Sequence, residues 1–161
     1  MERTLPDERN QPLPFITYPK DEAELRKSIW IGANCRHEYG LKFIQKTHQS
    51  CCAYCGKPLT KCYDAWVTMV LDHVVPLSVC EDEDFGIKPE FCWSLANAVL
   101  ACTTCNGFDN QYKPSSKRQI KTFQEFLNLR DEIFVKRRER IQEKHKEEKA
   151  FFEREIAHVF D

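Results

Sequence analysis

The chain reads as a mixed α+β domain in which two short β-rich runs lie between a pair of cysteine motifs, with helical segments on either side. Three observations carry that reading. Cys52-x2-Cys55 and Cys102-x2-Cys105 have the spacing that lets both sulfurs of a pair reach one tetrahedral ion. Ala65 to Val75 (AWVTMVLDHVV) and Ala98 to Ala101 are rich in β-branched, aromatic and apolar residues. From Ser115 to about Lys149 there is no Gly or Pro, and Ile120, Phe123, Leu127, Phe134 and Ile141 recur at helical spacings.

In chain order, residues 1–20 are Pro-rich and predicted to be a poorly ordered lead-in. Residues 21–50 follow, where Leu25, Ile29, Leu41 and Ile44 suit two short amphipathic helices broken near Gly32 to Asn34. SCCAYCGKPLT then reads as a tight metal-binding turn, with Gly56 letting the backbone curl. A buried strand is predicted over Ala65 to Val75, ending at Pro76, and a long polar loop over Pro76 to Ser94 leads to a second strand, Ala98 to Ala101. Thr103 is the predicted cap of a helix that carries Asn106 and Asn110 one turn apart and stops at Pro114. Residues 51–114 form the expected core, and residues 115–161 a C-terminal amphipathic helical extension.

Composition narrows the classes. At 161 residues the chain suits one domain, and its 42% hydrophobic content with eleven Phe argues for a packed core. No apolar run approaches the length of a membrane span, and the N-terminus lacks an apolar h-region, so a cytoplasmic, reducing compartment is expected. Nine cysteines are an odd number, and four of them stand in CxxC pairs, which favours metal over disulfides. Cys35, Cys62, Cys80 and Cys92 have no partner at ligand spacing and read as small core or surface residues. Cys51 competes as a ligand, and Cys35, His37 and His48 offer a conceivable second site. A net charge of −1 makes no global case for nucleic acid, but Lys113 to Lys146 holds eleven Lys or Arg against five Asp or Glu, whereas Glu81 to Asp84 is an acidic run.

Four thiolates suit a structural Zn2+ ion. The 46 residues between the pairs exceed a simple ribbon, so the ion would clasp an inserted unit that contains Asp72 and His73. LDHVVP followed by SLANAVLACTTCN resembles the HNH endonucleases, in the variant with Asn at the third position and two CxxC pairs. The resemblance covers about Cys52 to Pro114 and implies a ββα-metal core. By position it implies that His73 is the general base, that Asp72 and Asn106 hold a divalent ion, Mg2+ or Mn2+, and that Asn97 holds the loop across the site and orients the histidine backbone. Asn110 matches a position that is a metal ligand in some members. Two departures stand out: Asp109 replaces a common Lys, leaving Lys113 as the nearest cation, and the acidic loop is long.

The chemistry asks for the same residue types. A neutral imidazole takes a proton from water near pH 7, and oxygen donors suit a hard cation that neutralises phosphate charge. The expected function is therefore metal-dependent hydrolysis of nucleic acid, DNA before RNA, leaving 5′-phosphate and 3′-hydroxyl ends as the family implies. Lys113, Lys117, Arg118, Arg137 and Arg138 are candidate phosphate contacts, weighed against a solvated helix face paired with Glu. The competing expectation is a zinc-stabilised nucleic-acid- or protein-binding module without catalysis. The last apolar stretch, AFFEREIAHVF, suits a homodimer or a partner protein.

Overall fold

The computed structural model describes residues 11–161. The expectation for residues 1–10 lies outside the described residues, but residues 11–20 are ordered: a 3-10 turn at Pro14–Thr17 leads to a buried Tyr18 whose hydroxyl donates to the Ala98 carbonyl.

Helix α1 spans Glu22–Arg26, capped by the Asp21 carboxylate on the Ala23 amide. A π turn at Cys35–Tyr39 runs into α2, Gly40–Thr47, so the break falls where Gly32 to Asn34 predicts it. The first strand starts later than expected. Tyr63–Trp66 forms a helical turn, α3, and β1 is confined to Met69–His73. The loop after Pro76 contains two further helical turns, α4 (Leu77–Cys80) and α5 (Pro89–Cys92). Strand β2, Ala98–Cys102, pairs antiparallel with β1 in the register Met69 to Cys102 through His73 to Ala98.

Helix α6, Thr103–Phe108, is capped by Cys102 rather than Thr103, because the Cys102 sulfur accepts from the Cys105 amide at 3.5 Å. It also stops short, so Asn110 lies beyond it and shares no helical face with Asn106. Asp109 leaves the helical region with its carbonyl turned toward Arg137 of the last helix. That last helix, α7, spans Phe123–Phe151, not Ser115 onward. Thr122 and Glu125 close a capping box, while Ser115 to Lys121 stay irregular and Ile120 donates to the Phe85 carbonyl.

The buried side chains form two clusters. One holds Phe43, Tyr54, Met69, Val74 and β2; the other holds Val75, Phe85, Phe91 and Ala96. Helix α7 serves both, with Phe123, Phe126, Leu129 and Ile133 in the second and Phe134 and Ile141 in the first.

One expectation about cysteine is corrected. Cys80 and Cys92 are bonded to each other as a disulfide, joining α4 to α5 across a Cα separation of 6.2 Å. Sequence spacing suited to metal ligands says nothing about this pair, because packing of the two helical turns brings them together. Among the described residues, no helix is long and apolar enough to cross a membrane.

Candidate metal clasp and nuclease site

The clasp forms as its spacing requires. Sγ atoms of Cys52, Cys55, Cys102 and Cys105 lie within 4.8 Å of one another, and Cys55 and Cys102 stand 3.9 Å apart. Metal–sulfur bonds of about 2.3 Å at tetrahedral angles give edges of roughly 3.8 Å, so the cluster fits a zinc-sized ion. Gly56 at φ +75° turns the chain so that its amide meets the Cys52 carbonyl, while the Cys52 amide meets the Lys57 carbonyl. Hydrogen bonding among the four sulfurs lowers the Cys102 thiol and raises those of Cys52 and Cys105, so the four titrate as one linked group. Among the described residues, Cys35, His37 and His48 are not gathered into a cluster of this kind, and Cys51 neighbours Ser50 instead.

The spacer of the first CxxC does more than bridge two ligands. Ala53 donates its amide to the Leu100 carbonyl of β2, which docks the turn on the sheet. Tyr54 is thereby driven into the core, where its hydroxyl donates to Asp72 Oδ2 at 2.6 Å. Arg137, fully buried, lies 2.9 Å from the same oxygen through Nη1. The same Nη1 donates to the carbonyls of His73 and Val74 at 2.8 and 2.9 Å, while Nε and Nη2 donate to the Asp109 carbonyl at 3.1 and 2.9 Å, so one guanidinium binds the end of β1 to the segment after α6. Burial pushes the Asp72 carboxyl up, and the Arg137 charge and Tyr54 hydrogen bond pull it back.

His73 ends β1 and is half-buried. Its ring stacks on Trp30 at 4.0 Å with an interplanar angle of 8° and meets Trp93 edge-on at 4.9 Å. Nε2 is shut off from solvent without a partner, which leaves Nδ1 as the nitrogen able to meet water. Burial, and then the Arg137 charge, lowers its pKa from 6.5 to about 4, so the imidazole is neutral at pH 7. The backbone beyond it is held by Asn97, which is fully buried: Oδ1 accepts from the Val75 amide at 2.8 Å, and Nδ2 donates to the carbonyls of Val75 and Cys92 at 3.1 and 3.0 Å.

Asp72, His73 and Asn110, together with Pro76, Leu77, Ser78 and Gln111, line a cavity of about 240 Å3 at the end of β1. Asn106 sits half-buried on α6, outside that lining. Asp109 is buried, with Oδ1 3.1 Å from Arg140 and Oδ2 unpartnered, so it does not face solvent. Of the five basic candidates, Arg137 and Arg138 are buried, the latter donating to the carbonyls of Gln11 and Pro12. Their guanidiniums serve the interior rather than the surface. Lys117 bridges Asp82 and Asp84, which accounts for much of the acidic run, and Arg118 grips Glu132 with two nitrogens. Lys113 is exposed.

No family model, curated protein or solved structure matches the chain. The site therefore has to be judged on its own geometry. Arg137, a candidate phosphate contact by sequence, pairs with Asp72 instead; Tyr54, Trp30 and Trp93 are the participants that sequence reasoning missed. Tyr54 had a visible signal, since it is an aromatic residue inside a CxxC turn; the others had none.

Proposed function

We propose that this chain is a metal-assisted nuclease on a zinc-stapled ββα scaffold, cutting DNA in preference to RNA. The observation that carries the reading is the convergence of Asp72, His73 and Asn110 on one cavity, beside a turn fixed by Asn97. In this reading His73 Nδ1 accepts the proton of an attacking water, and stacking on Trp30 fixes the plane of the imidazole while it does so. Arg137 and Tyr54 both hold Asp72 Oδ2 and fix the carboxylate in place.

The donors lining the cavity are carboxylate and amide oxygens, which suit Mg2+ or Mn2+. Asp72 and Asn110 would hold the ion; when bound it would neutralise charge on the phosphate and the leaving oxygen. Zn2+ in the four-sulfur clasp would be structural, since all four positions are thiolates and none is left open.

A second reading rests on the Arg137–Asp72 pair. A fixed guanidinium already neutralises the acidic ligand, and Asp109, which stands in place of the family's common Lys, is buried against Arg140 and supplies no cation for a phosphate, both of which favour a binding module without catalysis. Plasmid nicking with Mg2+ or Mn2+ separates the two. The nuclease reading expects nicked product from wild type and a loss of about a hundredfold or more in His73→Ala; equal rates in both proteins, or none in either, support the binding module.

A self-association or partner site in the C-terminal segment is supported by the exposure of Phe151, Phe152, Ile156 and Phe160.

A further inference from the structure

Forty residues beyond the second CxxC, on a part of α7 past its last buried residue, His145 returns to the clasp. Its Nε2 lies 3.0 Å from Cys105 Sγ, and its ring packs edge-on against Phe108 at 5.0 Å. The four sulfurs make up the metal-sized cluster by themselves, and His145 reaches just one of them. Two contacts thus fix the ring: Phe108 sets its plane, and Cys105 receives its nitrogen.

We infer that His145 is an outer partner of the zinc centre, donating Nε2–H to the Cys105 thiolate and so latching α7 onto the metal-loaded clasp. The inference rests on the zinc reading of the four cysteines and adds a fifth residue to it. The chemistry follows from charge. Four thiolates around Zn2+ leave the centre with two net negative charges, and a thiolate that accepts a hydrogen bond sheds part of that density and is harder to protonate or displace. The donor role also fixes the tautomer, with hydrogen on Nε2. Lys146 and Lys149 line the same surface cavity of about 440 Å3 as His145, Cys52 and Cys55, so cationic side chains gather around what would be a dianionic centre.

The latch has a structural corollary. Past Ile141, α7 buries no further side chain, and the Cys105 contact is what returns this stretch to the core.

The test uses the full chain purified with zinc, with two variants. His145→Phe keeps an aromatic ring against Phe108 but has no donor; His145→Gln restores an N–H near the position of Nε2. Zinc content is measured first, then the rate of zinc transfer to a chromogenic chelator, then the sulfur-to-metal charge-transfer band of the Co2+-substituted protein. The expected result is one zinc per wild-type chain, release about tenfold faster in His145→Phe, and a shift of the charge-transfer band to lower energy in that variant, with both returned toward wild type in His145→Gln. Release from His145→Phe at the wild-type rate overturns the inference. So does a His145→Gln variant that behaves like His145→Phe, since packing alone then explains the loss, and so does a wild-type cobalt spectrum with three sulfurs and a nitrogen, which makes His145 a direct ligand. A wild-type chain without zinc would instead remove the clasp reading itself, and the latch with it.

Discussion

Arg137 and Asp72 form an ion pair of 2.9 Å that solvent barely reaches, with the arginine side chain fully buried and the aspartate 9% exposed. The pair joins the long C-terminal helix to the end of β1, next to the residue proposed as the base. Removing one member leaves the other as an uncompensated buried charge.

Arg137→Leu is therefore expected to destabilise the fold by about 3–5 kcal/mol, and Asp72→Asn in the same chain to recover part of that loss. Urea unfolding midpoints of the single and double variants measure both. A single variant as stable as wild type would show that Asp72 finds another partner once the guanidinium is gone.

His73 supplies a pH dependence with a definite sign. Its pKa is about 4 in the folded chain and near 6.5 when unfolded, so between those values the unfolded chain binds a proton that the folded one refuses. Stability is complete above about pH 6.5 and falls as pH drops toward 4, at up to about 1.4 kcal/mol per pH unit. In protein without added divalent ion, His73→Gln should flatten the slope in that window relative to wild type. Parallel slopes would mean that the ring protonates as easily inside the fold as outside it.

Asn97 makes three buried hydrogen bonds to backbone groups of Val75 and Cys92. Asn97→Ala orphans all three partners and should cost about 2–4 kcal/mol. Asn97→Asp should be at least as damaging, because it keeps the acceptor, loses both donations and buries a charge. Thermal unfolding of the two variants ranks them; an aspartate variant more stable than the alanine one would contradict the bonding pattern.

Metal removal should act on the whole core. Cys102 ends β2, caps α6 and joins the clasp, so Cys102→Ser or exhaustive chelation is expected to lower the unfolding temperature by on the order of 10 °C. Calorimetry with and without chelator, alongside metal analysis, checks this. An unchanged transition in protein shown to have lost its zinc would make the clasp dispensable for folding.

The parts of this architecture that local chemistry dictates could be read from the chain. Ligand spacing in Cys52 to Cys105, the curl at Gly56, the two strands, the break near Gly32 and the long helix each follow from a few neighbouring residues. Boundaries were less legible: Ala65 and Trp66 begin the run that reads as a strand but belong to a helical turn closed on the Cys62 carbonyl. Long-range pairing was hidden for a different reason. Arg137 sits in a run of charges with the composition of a solvated face, and its burial depends on carbonyls offered by His73, Val74 and Asp109. The Cys80–Cys92 bond and the approach of His145 to Cys105 depend in the same way on how distant elements pack.

Val74 and Val75 are consecutive residues, yet each points into a different hydrophobic cluster, and Ala98 and Ala96 divide in the same manner. The cavity beside His73 is lined by residues on either side of Val74 and Val75 in the chain, next to the seam where the two packed halves divide. Helix α7 crosses that seam, with Ile133 in one half and Phe134 in the other, and acts on it as a splint. Hinge motion between the halves would have to bend a continuous rod of backbone hydrogen bonds, so the opening beside His73 keeps its shape for as long as that rod stays unbroken.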